Sequence, residues 1–158
     1  MKPTKKKTIT TLALLVGLAG APAALSHLDS DAFNVSYRQS LFAIVGANFG
    51  PMSAMIKGEM PWDDAQFKSF ADDLAATSKL NFERGFPSAN QPGRTRARPA
   101  IWENQDDFSA KLNDFRAAAA KLADAAAGND KKAILEQFKA TGGTCKACHD
   151  EYKSKDYL

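Results

Sequence analysis

From Asp31 onward the apolar residues of this chain recur in steps of three and four, and no stretch alternates as a strand would. Phe33, Tyr37, Leu41, Ile44, Val45, Asn48, Phe49, Met52 and Ile56 form one such stripe. Gly46 and Gly50 weaken that helix, each by up to about 1 kcal/mol relative to alanine, or mark a place where something large approaches the backbone. Pro51 removes an i to i−4 bond and predicts a kink, and Gly58 and Pro61 end the segment. A second helix is expected after Pro61, with Asp63 and Asp64 at its positive end and Phe67, Phe70, Leu74 and Thr77 on its inner face. Residues 81–99, rich in Gly, Pro, Ser, Asn and Arg, read as a long connection. Loops of that length are often functional.

The third helix carries Phe108, Leu112, Phe115, Ala119, Leu122 and Ala126 in a four-three pattern, with charges on its other faces. Gly128 to Asp130 stop it, and Asp130 is placed to cap the last helix. That helix holds Ile134, Leu135 and Phe138, is expected to falter at Gly142-Gly143, and resumes to Tyr152. Four amphipathic helices with two short links and one long one predict an all-α, antiparallel four-helix bundle.

Before the bundle the text differs. Lys2, Lys5, Lys6 and Lys7 precede an apolar run over 9–20, and Ala21-Pro22-Ala23 follows. This is the layout of a secretory signal peptide over 1–23, leaving one domain over 24–158 and a periplasmic destination. Cleavage after Ala23 or Ala24 is favoured over a site after Ser26. Removing four of the 21 basic residues leaves 17 against 18 acidic ones. A nearly neutral chain has no electrostatic footprint for nucleic acid, and Arg94, Arg96 and Arg98 read as solvated loop residues. With 44% hydrophobic and 25% charged residues the chain suits a soluble globular fold. No apolar run reaches the roughly 20 residues a membrane span requires, so no membrane partner is expected.

Both cysteines of the protein lie in Cys145-Lys146-Ala147-Cys148-His149, the C-x-x-C-H signature of covalent c-type haem attachment. Two thiols three residues apart on a helix each reach one vinyl group of a haem edge, and His149 then projects its imidazole toward the iron. A zinc site would need four ligands, and beyond the motif only His27 remains. A thioredoxin-type C-x-x-C belongs beside strands, which are absent from the pattern. Export agrees with haem attachment, because in bacteria that chemistry happens outside the cytoplasm.

A C-x-x-C-H near the end of the last helix of a bundle resembles the class II c-type cytochromes, and the chain is most similar to the cytochrome c′ family. The stretches that carry the resemblance are Tyr37-Arg38-Gln39-Ser40, Phe49-Gly50-Pro51-Met52, Lys57-Gly58-Glu59, Arg98-Pro99 with Ile101-Trp102, and Cys145 through Asp150. The resemblance implies one haem c per chain, thioether links from Cys145 and Cys148, and His149 as the axial metal ligand. It implies Arg38 near a haem propionate, Phe42 over the distal side of the iron, and Lys153 beside the proximal pocket. Val45, Phe49 and Trp102 then line the haem, or serve as ordinary core.

Low-spin relatives carry a methionine where this chain has Phe42, which cannot coordinate. Met52, Met55 and Met60 lie three or more turns further on, and His27 sits near the cleavage point. The expected iron is five-coordinate and high-spin, in an apolar distal pocket that suits NO and CO better than dioxygen. The resulting expectation is a periplasmic haem protein that binds small diatomic gases, with NO sequestration as its role. The alternative is an electron-transfer cytochrome serving an unknown redox partner. No distal acid/base residue is readable, so an enzyme is not expected. The resemblance also implies a homodimer, through the first two helices.

The motif makes the first prediction. Mature protein should retain its haem through acid-acetone extraction, and Cys145→Ala with Cys148→Ala should release it; free extraction from the wild type would overturn the assignment.

Overall fold

Helix α1, Phe33–Lys57, runs 25 residues and continues through Pro51. It stops at Gly58, whose left-handed φ of 75° is a conformation glycine adopts without a Cβ penalty. A computed structural model describes residues 32–128 and 130–158; the leader at 1–23 and His27 lie outside the described residues. Helix α2, Asp64–Ser78, opens on Asp63, whose carboxylate accepts from the Gln66 N–H at 2.9 Å. A one-turn helix α3, Ala100–Glu103, precedes α4, Gln105–Ala127. Helix α5, Lys131–Tyr152, starts at Asp130, which accepts from the N–H groups of Lys132 and Ala133.

The four long helices pack in chain order, α1 on α2, α2 on α4 and α4 on α5. Contacts fix the register. Thr141 donates to the Ala118 carbonyl, and Tyr152 donates to Asp107 eleven residues away on each side, so α4 and α5 run antiparallel. Along this core the inner-face residues of α4 are all buried: Phe108, Leu112, Phe115, Ala119, Leu122 and Ala126. Phe67 and Leu74 of α2 and Met52 and Met55 of α1 join them. Burying each such side chain is worth roughly 1.5–3 kcal/mol. No described helix is long and apolar enough to cross a membrane.

Two expectations need correction. Helix α5 does not falter at Gly142-Gly143; it is helical throughout. The buried Thr141 hydroxyl bonds the carbonyls of Gln137 and Ala118, and packing there outweighs the low helix propensity of two glycines. The connection after α2 is not a plain loop either. It contains a 3-10 turn, Glu83–Gly85, and sends Phe82 into the core with no exposed surface. Phe82 meets the rings of Phe42 at 5.2 Å and Phe115 at 6.2 Å, both edge-on. Arg116 of α4 secures the same stretch through a two-pronged pairing with Glu83 and a bond to the Ser78 carbonyl.

The connection is thereby part of the hydrophobic core, which generates a prediction. Phe82→Ala should destabilise the protein by roughly 3–5 kcal/mol, the range for deleting a buried aromatic ring. Denaturant unfolding of the variant beside the wild type reads this directly, and a loss near zero would mean the ring contributes no packing.

Candidate functional site

Helices α1 and α5 meet lightly. Phe49 stacks on Phe138 at 4.3 Å, and a carbon placed on Gly142 would touch the Phe49 ring at 3.5 Å. These two helices are antiparallel, as the bundle order requires. Phe42 lies seven residues before Phe49, about 10 Å along the axis at 1.5 Å per residue. Seven residues beyond Gly142 is His149. Phe42 and the Cys145–His149 segment therefore lie at the same level of the bundle, on α1 and α5 respectively.

On the α5 wall, Cys145 and Cys148 lie one turn apart, half-buried against the core. Burial pushes both thiols up, Cys148 to about 11, where nearby Asp107 and Cys145 add to the rise and Lys111 opposes it. Both are neutral thiols at physiological pH. His149, next along, borders a cleft of about 560 Å³ shared with Arg96, Arg98, Asp150, Lys153, Ser154 and Lys155. Partial loss of solvation lowers its imidazole pKa, and the cations Lys153 and Arg96 lower it further, favouring the neutral, ligating form. The Lys153 backbone pairs with Ala97, which fixes where that lysine leaves the helix end.

On the α1 wall, Arg38 is 3% exposed, and burial lowers its pKa. Its guanidinium donates to the Gly85 carbonyl at 2.7 Å and to the Thr95 hydroxyl at 2.7 Å, and it lies 4.9 Å from the centre of the Phe86 ring. It forms no salt bridge with any carboxylate among the described residues. Phe42, one turn on, is 37% exposed, its edge against Phe82. Val45 and Phe49 are half-buried on the same side of α1. Trp102 is contributed from outside α1 and α5. It sits on α3, donates its indole N–H to the Phe86 carbonyl at 3.0 Å, and packs in the aromatic group that joins the connection to α4.

Several residues at this site escaped the sequence reading. The three loop arginines make specific contacts, although Arg94 and Arg98 remain exposed to solvent. Arg98 donates to the carbonyls of Asp150 and Glu151, capping the C-terminus of α5, and Arg96 donates to Ser154. Arg94 lies over the Tyr157 ring at 4.6 Å. No periodic signal marks them, because their partners are 52 or more residues away.

The arrangement fits a haem on three counts. The two thiols and the imidazole follow one another along one helix turn, and the opposite wall at their level presents an apolar ring. A buried guanidinium held only by neutral acceptors and a ring suits a carboxylate-bearing group, since a buried charge is costly without a counter-charge. The zinc alternative lacks a ligand set: among the described residues no three His, Cys, Asp or Glu side chains are grouped to hold a metal ion.

Comparison with known proteins agrees with this geometry. A family model described as Cytochrome C' matches residues 34–153. Cytochrome c' of Cereibacter sphaeroides is 38% identical over 141 residues, covering 87% of this chain and 93% of that protein. The solved structure of cytochrome c prime from Shewanella frigidimarina aligns with a TM-score of 0.76 at 41% identity, over 80% of this chain and 98% of the other. Cytochrome c prime from Alcaligenes xylosoxidans, at 36% identity and a TM-score of 0.69 over 78% and 94% of the two chains, has been solved as a ferrous variant with NO bound. A carbon monoxide complex of another variant of it is also known.

A pH prediction follows from the end of α5. The hydrogen bond from Tyr152, with help from Lys111, holds the Asp107 carboxyl below its ordinary range, while burial and Asp107 push the Tyr152 phenol up to about 12. The depressed carboxyl stabilises the fold above the usual aspartate range, and that contribution is lost as pH falls through its folded value. The raised phenol contributes below about pH 10, and its share is lost as pH rises through about 12. Tyr152→Phe should therefore cost most stability between roughly pH 5 and 9, with the deficit closing at both extremes. A deficit independent of pH in denaturant unfolding would refute the coupling.

Proposed function

The chain belongs to the cytochrome c′ family, whose members are non-enzymatic haem proteins, and from that premise we propose a periplasmic c-type haem protein that binds NO and CO. One haem c is carried per chain. The thiols of Cys145 and Cys148 would hold it through thioether links, and His149, whose surroundings favour the neutral imidazole, would ligate the iron. Arg38 faces a propionate, which supplies the carboxylate its buried charge lacks. Val45 and Phe49 line the pocket from α1. Trp102 borders it only through Phe86 and serves chiefly as core.

The observation that carries the reading is Phe42. It stands across the seam from His149 and offers no atom able to ligate iron. Haem held here would supply iron able to bind a small diatomic gas, and Phe42 would decide what reaches it. Its ring is 37% exposed and leans on Phe82, so it can swing aside for a small neutral molecule while hindering larger or charged ones. Lys153 stands on the opposite side, at the mouth of the cleft beside His149. The relatives solved with NO and CO support this choice of ligands. NO sequestration is the role that best suits an exported protein of this kind. The Lys-rich leader over 1–23 supports the periplasm. The exposed Phe33 and Ile44 on α1 are in keeping with a homodimer formed through the first two helices.

Spectra and kinetics test the proposal together. The ferrous protein should be five-coordinate and high-spin, with CO binding slowly. Phe42→Ala should speed CO association, at a stability cost below the roughly 3–5 kcal/mol of a fully buried ring. Phe42→Met should push the iron toward low spin by supplying a sixth ligand. A low-spin ferrous spectrum in the wild type would move the protein to the electron-transfer class. Unchanged CO association in Phe42→Ala would mean that another residue guards the iron.

A further inference from the structure

After α5 the chain turns back along the connection. Ser154 N–H donates to the Arg96 carbonyl at 2.7 Å, Arg98 N–H to the Tyr152 carbonyl at 3.0 Å, and Leu158 N–H to the Thr95 carbonyl at 2.8 Å. Residues 152–158 and 95–98 are thus joined through backbone bonds donated from both segments. At the end of this seam stands Thr95. Its hydroxyl accepts from the Arg38 guanidinium at 2.7 Å and from the Ala97 N–H at 3.0 Å, while its carbonyl holds Leu158.

We infer that Thr95 is a positioning residue, tying the His149-bearing end of α5 to Arg38 on α1, one turn from Phe42. Arg38 has two neutral oxygen acceptors, and the Gly85 carbonyl is fixed by the 3-10 turn. A carbon placed on Gly85 would stand 2.6 Å from Arg38 Cβ, so the stem of Arg38 packs where any side chain at 85 would have to sit. The Thr95 hydroxyl is the other hydrogen-bonding restraint on the guanidinium, beside the Phe86 ring. Without it the charged group relaxes toward water, and the first turns of α1 lose a fixed point. The inference rests on the proposed haem site, because its effect is read at the iron.

The test uses full-length, haem-loaded protein and the variants Thr95→Val, Thr95→Ala and Thr95→Ser, with Phe42→Ala in parallel. Withdrawal of a cation from the haem edge stabilises the ferric state. The midpoint potential should therefore fall in Thr95→Val and Thr95→Ala and return to the wild-type value in Thr95→Ser, which keeps the hydroxyl. CO association should rise several-fold in the first two and stay at the wild-type rate in the third. Thermal melting alone would not distinguish these variants as required, whereas recovery by serine ties both readouts to the hydroxyl. Wild-type potential and CO rate in both Thr95→Val and Thr95→Ala would overturn the inference. If the potential falls as expected but neither these variants nor Phe42→Ala alters CO association, Thr95 positions Arg38 as inferred and the distal reading of Phe42 is what fails.

Discussion

Arg38 is the point on which the long connection, helix α1 and the end of α5 converge. A guanidinium taken out of water is costly unless its N–H groups and its charge are both answered. The protein answers the N–H groups with the Gly85 carbonyl and the Thr95 hydroxyl, and the charge in part with the face of Phe86. Each partner belongs to residues 83–95, which carry no long helix of their own. The buried cation therefore organises an irregular segment as firmly as a helix would. It also leaves the charge without a carboxylate partner among the described residues.

The rest of that segment is held by the same kind of bond. Arg116 pairs with Glu83, Trp102 donates to Phe86, and Arg98 and Arg96 seize carbonyls at the end of α5. Long polar side chains thus replace the helix ladder wherever the backbone is irregular, which satisfies groups that would otherwise be buried unpaired. The aromatic series Phe86, Phe108 and Tyr152 runs alongside and fills the space between them.

Sequence reading succeeded where the physics is local. The inner face of α4, the cap Asp130, the acidic start of α2 and the stop at Gly58 all depend on residues within a turn or two, and each was legible from spacing and side-chain chemistry. The motif Cys145–His149 was legible for the same reason. The continuity of α5 was not, because Thr141 is anchored to Ala118 on another helix and overrides the glycines beside it. Phe82, Thr95 and the loop arginines were also invisible. Their partners lie far away in the chain, and a Gly/Pro-rich text carries no period from which to infer them. Arg38 was located through the family resemblance, but its actual partners come from the structure.

Every bond that fixes α5 comes from one side. Asp130 caps its start, Thr141 bonds to α4, Tyr152 bonds to Asp107 of α4, and Arg98 caps its end from the connection. Helix α1 is held by α2 and by the connection through Tyr37 and Arg38. Between the two walls stand the Phe49–Phe138 stack and the approach of Gly142 to Phe49. Two walls fixed by separate partners can keep their spacing without packing extensively on each other. The polar ties beyond the seam then do what direct packing does elsewhere in a bundle. Because those ties reach Arg38 through Thr95, the position of the wall that carries Phe42 depends on the segment that follows His149.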